Sequence, residues 1–218
     1  MALIASDSGG GNFKRVPAGA HIARCFSIID CGTQTTNGQY GETIARKIRL
    51  GWEIFGEDEN NEPLIVDING AVMPMTINKT YTLSLHEKAG LRKDLSAWRG
   101  KAFTEEELKG FDISNVLGVY CMLNVTVSEN NGKTYSNIAG ISPMHKSMQK
   151  PESVHKNITF DLDNFDEEVF KTFHEKLQDY IKQSPEYLNL FQDKTVEQKK
   201  EPVKSKSNFD DFEDDIPF

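Results

Sequence analysis

Cationic and aromatic side chains recur together along this chain, and their spacing is that of a surface able to hold an unpaired nucleic-acid strand. Lysine and arginine track phosphates, and each base stacked on a ring contributes about 1–3 kcal/mol. Lys47 and Arg49 fall on one face of an alternating stretch, as do Arg24 and Phe26 on an earlier one. Arg46 falls on the same side as Trp52. Tyr40 sits at an expected hairpin tip, Tyr120 opposes the apolar face of its stretch, and Lys133 and Tyr135 flank a second hairpin. Arg92 and Lys93 join them from an expected helix whose C-terminal end favours cations whatever the function. The competing reading is core packing, which claims Phe26, Trp52 and Trp98 more readily than the tyrosines.

Other chemistry finds little footing. The five histidines, His21, His86, His145, His155 and His174, show no metal-ligand spacing with cysteine or carboxylate. No phosphate-binding loop, nucleophile elbow or zinc-protease signature occurs. The paired acids Asp161/Asp163 and Asp166/Glu167 precede a helical pattern and suit its start. The expectation is a binding protein with no cofactor and no metal, a metal-dependent nuclease being the enzymatic alternative. Cys25, Cys31 and Cys121 are odd in number and lack the C-x-x-C pattern, which suits buried reduced thiols and a cytoplasmic setting. No apolar run is long enough to span a membrane, and the first residues do not read as a secretion signal.

Net charge is −8, but it is unevenly placed. Residues 1–150 hold 16 basic and 16 acidic side chains, whereas residues 151–218 hold 9 and 17. Within residues 12–51 six cations face two acids. A local positive potential attracts phosphate even when the whole chain is acidic.

The elements that must position these residues are mainly strands. Residues 1–12 include Ser8-Gly9-Gly10-Gly11 and read as a flexible arm. Strand patterns run over 21–31 and 44–55, with a turn-rich 32–41 carrying Asn37-Gly38 between them. Further strands are expected over 64–68, 76–85, 119–127 and 134–141, the last two joined at Asn131-Gly132. A helix over 86–99 buries Leu91, Leu95 and Trp98 and stops at Gly100. Thr104 and Glu107 form a capping box for one more helical turn. Five strands with a helix before the final pair predict a mainly β fold, a five-stranded OB-fold-like barrel over residues 13–150. An open α+β sheet or a β-sandwich is the alternative. Residues 151–192 predict a helical extension, with helical periodicity over 163–183 that sets Phe165, Val169, Phe173, Leu177, Tyr180 and Ile181 on one side. Residues 193–208 are too polar to offset ordering entropy and predict disorder.

The chain ends Asn208-Phe209-Asp210-Asp211-Phe212-Glu213-Asp214-Asp215-Ile216-Pro217-Phe218. Carboxylates give such a peptide long-range attraction to basic surfaces, and a terminal aromatic with its α-carboxylate gives an anchor. These residues resemble the acidic tip of bacterial single-stranded-DNA-binding proteins, which closes on Ile-Pro-Phe. The resemblance implies that Phe218, Pro217 and Ile216 anchor replication and repair proteins, with Asp214 and Asp215 as electrostatic partners. The body departs from the bacterial family. From Tyr81 through Leu95 to Trp98-Arg99-Gly100-Lys101 it is similar to phage-encoded proteins of replication gene clusters. The body as a whole looks more like phage-encoded single-stranded-DNA-binding proteins, which keep an OB fold and an acidic tail. That resemblance together with the tip implies sequence-independent binding of single-stranded DNA in replication, recombination or repair, inside a bacterial host cytoplasm. An adaptor that binds proteins without DNA is the rival reading.

Overall fold

The computed structural model describes residues 15–38, 41–68, 70–130 and 132–192. Its frame is one long strand, β1 (Gly19–Gly38), paired along its length with β2 (Gly41–Phe55). Register shifts between Cys25 and Ser27 and between Asp30 and Gly32 leave Phe26 and Cys31 as bulges. Bulges bend a strand and raise its twist, and β1 changes neighbours across them. Its first part, Gly19 to Arg24, pairs with β6 (Tyr120–Asn130). Its second part, Ser27 to Ile29, pairs in parallel with β8 (Ile158–Phe160).

The remaining strands are β5 (Thr76–Thr82) beside β2, and β7 (Lys133–Pro143) beside β6. The sheet order is β5-β2-β1-β6-β7 with β8 on β1, while β3 (Ile65–Ile68) and β4 (Ala71–Pro74) form a separate hairpin. The fold is therefore mainly β and antiparallel. The expected five-stranded barrel is not closed by backbone pairing: among the described residues no ladder joins edge strands β5 and β7. A side chain bridges them instead, Lys79 Nζ donating to the Ile138 carbonyl oxygen at 3.1 Å.

Helix α1 (Gly90–Arg99) packs between these two edges and turns Leu91, Leu95 and Trp98 inward. It starts later than its apolar pattern predicted and ends at Gly100 in the left-handed conformation. Trp98 Nε1 donates to the Tyr120 carbonyl oxygen at 3.2 Å, and its ring lies 5.9 Å from that of Trp52. Helix α2 (Glu105–Lys109) opens with the expected Thr104–Glu107 capping box.

Two apolar cores share β1. The inward face of the sheet packs Ala23, Cys25, Ile28, Leu50, Trp52, Ile77 and Leu123 with α1. The second core sets Ile29 and Cys31 against Phe160, Leu162, Phe170, Phe173, Leu177 and Ile181. Those partners come from β8 and the short helices α3 (Glu167–Lys171), α4 (Glu175–Lys182) and α5 (Pro185–Gln192). The division drawn at residue 150 does not separate two bodies, because β8 is a strand of the main sheet and its neighbours complete the burial of β1. Gly32 permits this approach. It has φ +69°, and a Cβ there would collide with the Ser184 side chain and lie 2.9 Å from Leu162 Cδ1.

Candidate nucleic-acid interface

Strand pleating decides which side chains share a face. The outward face of β1, β2 and β5 carries the register rows Arg24–Glu53–Thr76, Ser27–Gly51–Asn78 and Ile29–Arg49–Thr80, with Lys47–Thr82 beyond them. This is the face to which the sequence assigned most of its cations. Residues 151–192 lie across much of it.

Four assignments are corrected by burial. Arg24 is 8% exposed: its guanidinium donates to Glu53 Oε1 at 2.8 Å, to the His155 carbonyl oxygen at 3.2 Å and to Asn157 Oδ1. Phe26 is 1% exposed and stacks on His155, with ring centroids 4.6 Å apart. Arg49 is buried with its charge beside Cys31 and Tyr180. Tyr135 is buried as well. A fifth, Arg46, is half-exposed but already neutralised. It binds Asp30 at 2.5 Å, Asp163 at 3.1 Å and Asp161 at 3.8 Å, and the hydrogen bond to Asp30 leads the effects that push its pKa up. Alternation set Lys47 and Arg49 opposite Leu50, Trp52 and Ile54, and the register keeps them so. It carried no information about a cover supplied from more than 100 residues away.

Tyr120 is half-buried, its hydroxyl donating to the Pro151 carbonyl oxygen at 2.5 Å and its ring lying 5.6 Å from Lys150 Nζ. Burial raises its pKa. Lys47, Arg92, Lys93 and Lys133 remain at or near the surface. Tyr40 and the tip residues Asp214, Asp215, Ile216, Pro217 and Phe218 lie outside the described residues.

What the cover leaves open is a cleft of about 480 Å³ between β5 and the start of α1. Lys79, Thr80, Thr82, Ser84, His86 and Lys88 line it. Lys47 reaches its rim, donating to Thr82 Oγ1 at 3.0 Å, and partial burial holds its pKa below the ordinary lysine value. Arg92 is steadied by donation to the Leu85 carbonyl oxygen at 3.2 Å. Lys79 is committed to Asp94 at 2.9 Å, and Tyr81 donates to the same carboxylate at 2.9 Å. Helix α1 opens at Ala89 without a side-chain cap and without an acidic residue in its first turn. Cations and hydroxyls so placed suit an anion of phosphate type. His86, Lys88 and the β5 hydroxyls were missed as a group. The signal was the run Thr80-Tyr81-Thr82-Leu83-Ser84, followed by His86 and by the cations Lys88, Arg92 and Lys93.

Nucleophilic chemistry has no support from the thiols. Burial pushes Cys25 and Cys31 up to about 12 and Cys121 well above the ordinary thiol value. Among the described residues no group of three His, Cys, Asp or Glu converges to hold a metal ion, and no helix is long and apolar enough to cross a membrane. The chain matches no family model and no curated protein.

Proposed function

We propose that this chain binds single-stranded DNA without regard to sequence and recruits replication and repair proteins through residues 214–218. The observation that carries the reading is the cleft beside β5, lined by Lys88 and a row of hydroxyls and by no residue of the C-terminal segment, with Lys47 bonded to Thr82 at its wall. Phosphate contacts of this kind supply sequence-independent affinity.

The sheet supports the same reading. The order β5-β2-β1-β6-β7, with a helix inserted before β6, is the order of an OB-fold, a partly open Greek-key barrel that binds oligonucleotides on its second and third strands. Here those strands are β2 and β5. Fold alone does not assign function, so the weight rests on the cleft. The acidic tip carries the recruitment half of the reading.

The burial of Arg24, Phe26 and Arg49 favours a second reading, an adaptor that binds proteins but not DNA. Titration of labelled oligo-dT with full-length and tail-deleted protein at several salt concentrations separates the two. DNA binding predicts affinity that falls with salt by about 0.7 logarithmic units per phosphate neutralised. Absence of binding at low salt would leave the adaptor.

A further inference from the structure

Residues 151–157 have no regular structure and cross the outward face of β1 and β2. Glu152, Ser153, Val154, Lys156 and Asn157 are exposed, and His155 is the side chain that inserts. It lies on the Phe26 ring at an interplanar angle of 25°, and its Nε2 donates to the Pro74 carbonyl oxygen at 3.3 Å. The backbone amides of Val154 and His155 both donate to Glu53 Oε2, at 3.1 and 3.0 Å. The carbonyl oxygen of His155 accepts from Arg24.

The segment therefore presents two N–H donors and one acceptor to a carboxylate and a guanidinium, with a flat ring stacked alongside. The edge of guanine presents the same pattern: its N1–H and N2–H would face Glu53, and its O6 would face Arg24. Arg24 also holds Glu53 Oε1, which fixes the carboxylate with its second oxygen outward. Next to Phe26 and one row along, Ser27 Oγ and Asn78 Oδ1 flank Gly51 in register, both more than nine-tenths buried and both without a hydrogen-bond partner in the protein. Unpartnered buried polar atoms beside a stacked ring are what a polar, planar ligand would satisfy.

The geometry points to a base site for guanine on Phe26, Arg24 and Glu53, held shut by residues 151–157 acting as a displaceable latch. It rests on the single-stranded-DNA reading and adds a base-selective position to it. The site lies six residues along β2 from Lys47, about 20 Å at strand rise, so one strand passing over β5 reaches both. The latch holds by polar contacts and one ring, with five of its seven side chains in solvent. Segments of that kind open at low cost compared with a packed core.

The test uses the full chain and two twelve-residue oligonucleotides, oligo-dT and the same strand with one central guanine. Hydrogen exchange is followed at the amides of Val154 and His155, and affinity is measured for the native chain, for His155→Gly and for Val154→Pro. The last deletes one latch donor without touching the sheet. The expected result is faster exchange at both amides with the guanine strand and a several-fold gain in affinity for that strand alone in both variants. Binding of the guanine strand with both amides still protected would overturn the latch and leave DNA binding intact. Equal exposure by both strands would overturn the guanine assignment. Failure of both strands to bind at low salt would remove the underlying DNA reading as well.

Discussion

Lys79 on β5 and Ile138 on β7 stand at the two edges of the main sheet, and the 3.1 Å hydrogen bond between Nζ and the carbonyl oxygen closes a gap that no backbone ladder spans among the described residues. The same ammonium group pairs with Asp94 of α1, so a single side chain ties both edges to the helix between them. Lys79→Met keeps most of the aliphatic stem and removes these bonds. The expected loss is about 1–3 kcal/mol, read as a lower denaturant midpoint. Exchange at the β5 and β7 edges should rise before that at β1. A variant as stable as the native chain would show that packing of α1 alone holds the edges together.

Gly32 should tolerate no side chain. Gly32→Ala places a Cβ against Ser184 and Leu162 at a backbone angle that alanine adopts at a cost of about 1–3 kcal/mol. Thermal unfolding of the variant should begin with release of α4 and α5, seen as early exchange in residues 175–190. A change confined to residues 33–38 would place the strain in the hairpin instead.

The cleft cations give a prediction in salt dependence. Lys88→Gln and Lys47→Gln should each lower oligo-dT affinity and reduce the salt slope by about 0.7. Lys171→Gln, whose ammonium already pairs with Glu167 and Glu168, should change neither. Equal effects from all three would mean that binding follows net charge and not the cleft.

His155 supplies a pH dependence. Burial holds its pKa below the ordinary histidine value, with Glu53 raising it and Arg24 lowering it in smaller measure. A depressed histidine pKa means that the unfolded segment binds the proton more readily. The contact is therefore complete above about pH 6.5 and is lost as pH falls from there through the folded pKa. Protection at Val154 and His155, corrected for intrinsic exchange rates, should decline over that interval. His155→Phe should abolish the decline.

Much of the architecture is legible in local pattern. The alternation from Tyr120 onward, the Leu91–Leu95–Trp98 stripe and the Thr104–Glu107 box all stand where their residue types put them. The hairpin of β6 and β7 pairs out to Asn130–Lys133, on either side of the expected turn, whereas β1 pairs with β2 out to Gly38–Gly41, beyond the expected Asn37-Gly38. The stretch 32–38 read as turn because its threonines, glutamine and asparagine are polar, yet β2 gives it a partner throughout. One long helical stripe was expected over 163–183. The chain instead breaks at residues 172–174, with Thr172 ending α3 and His174 capping α4. The site was less legible for a specific reason. Arg24 and Arg49 look like surface cations until the C-terminal segment, more than 100 residues further along the chain, is placed over them. Local periodicity reports a strand's two faces but not which of them another segment will occupy.

The sharing of β1 between two cores also sets a schedule for synthesis. Ile29 is made early, yet its cover includes Phe160 and Ile181, so the growing chain carries a bare apolar strand through most of its translation. Such intermediates invite association with other chains. The basic, hydroxyl-rich cleft beside β5 is lined by residues between 79 and 91 and stands apart from that delay. A ribosome-bound fragment ending near residue 150 should therefore be the species most in need of a chaperone.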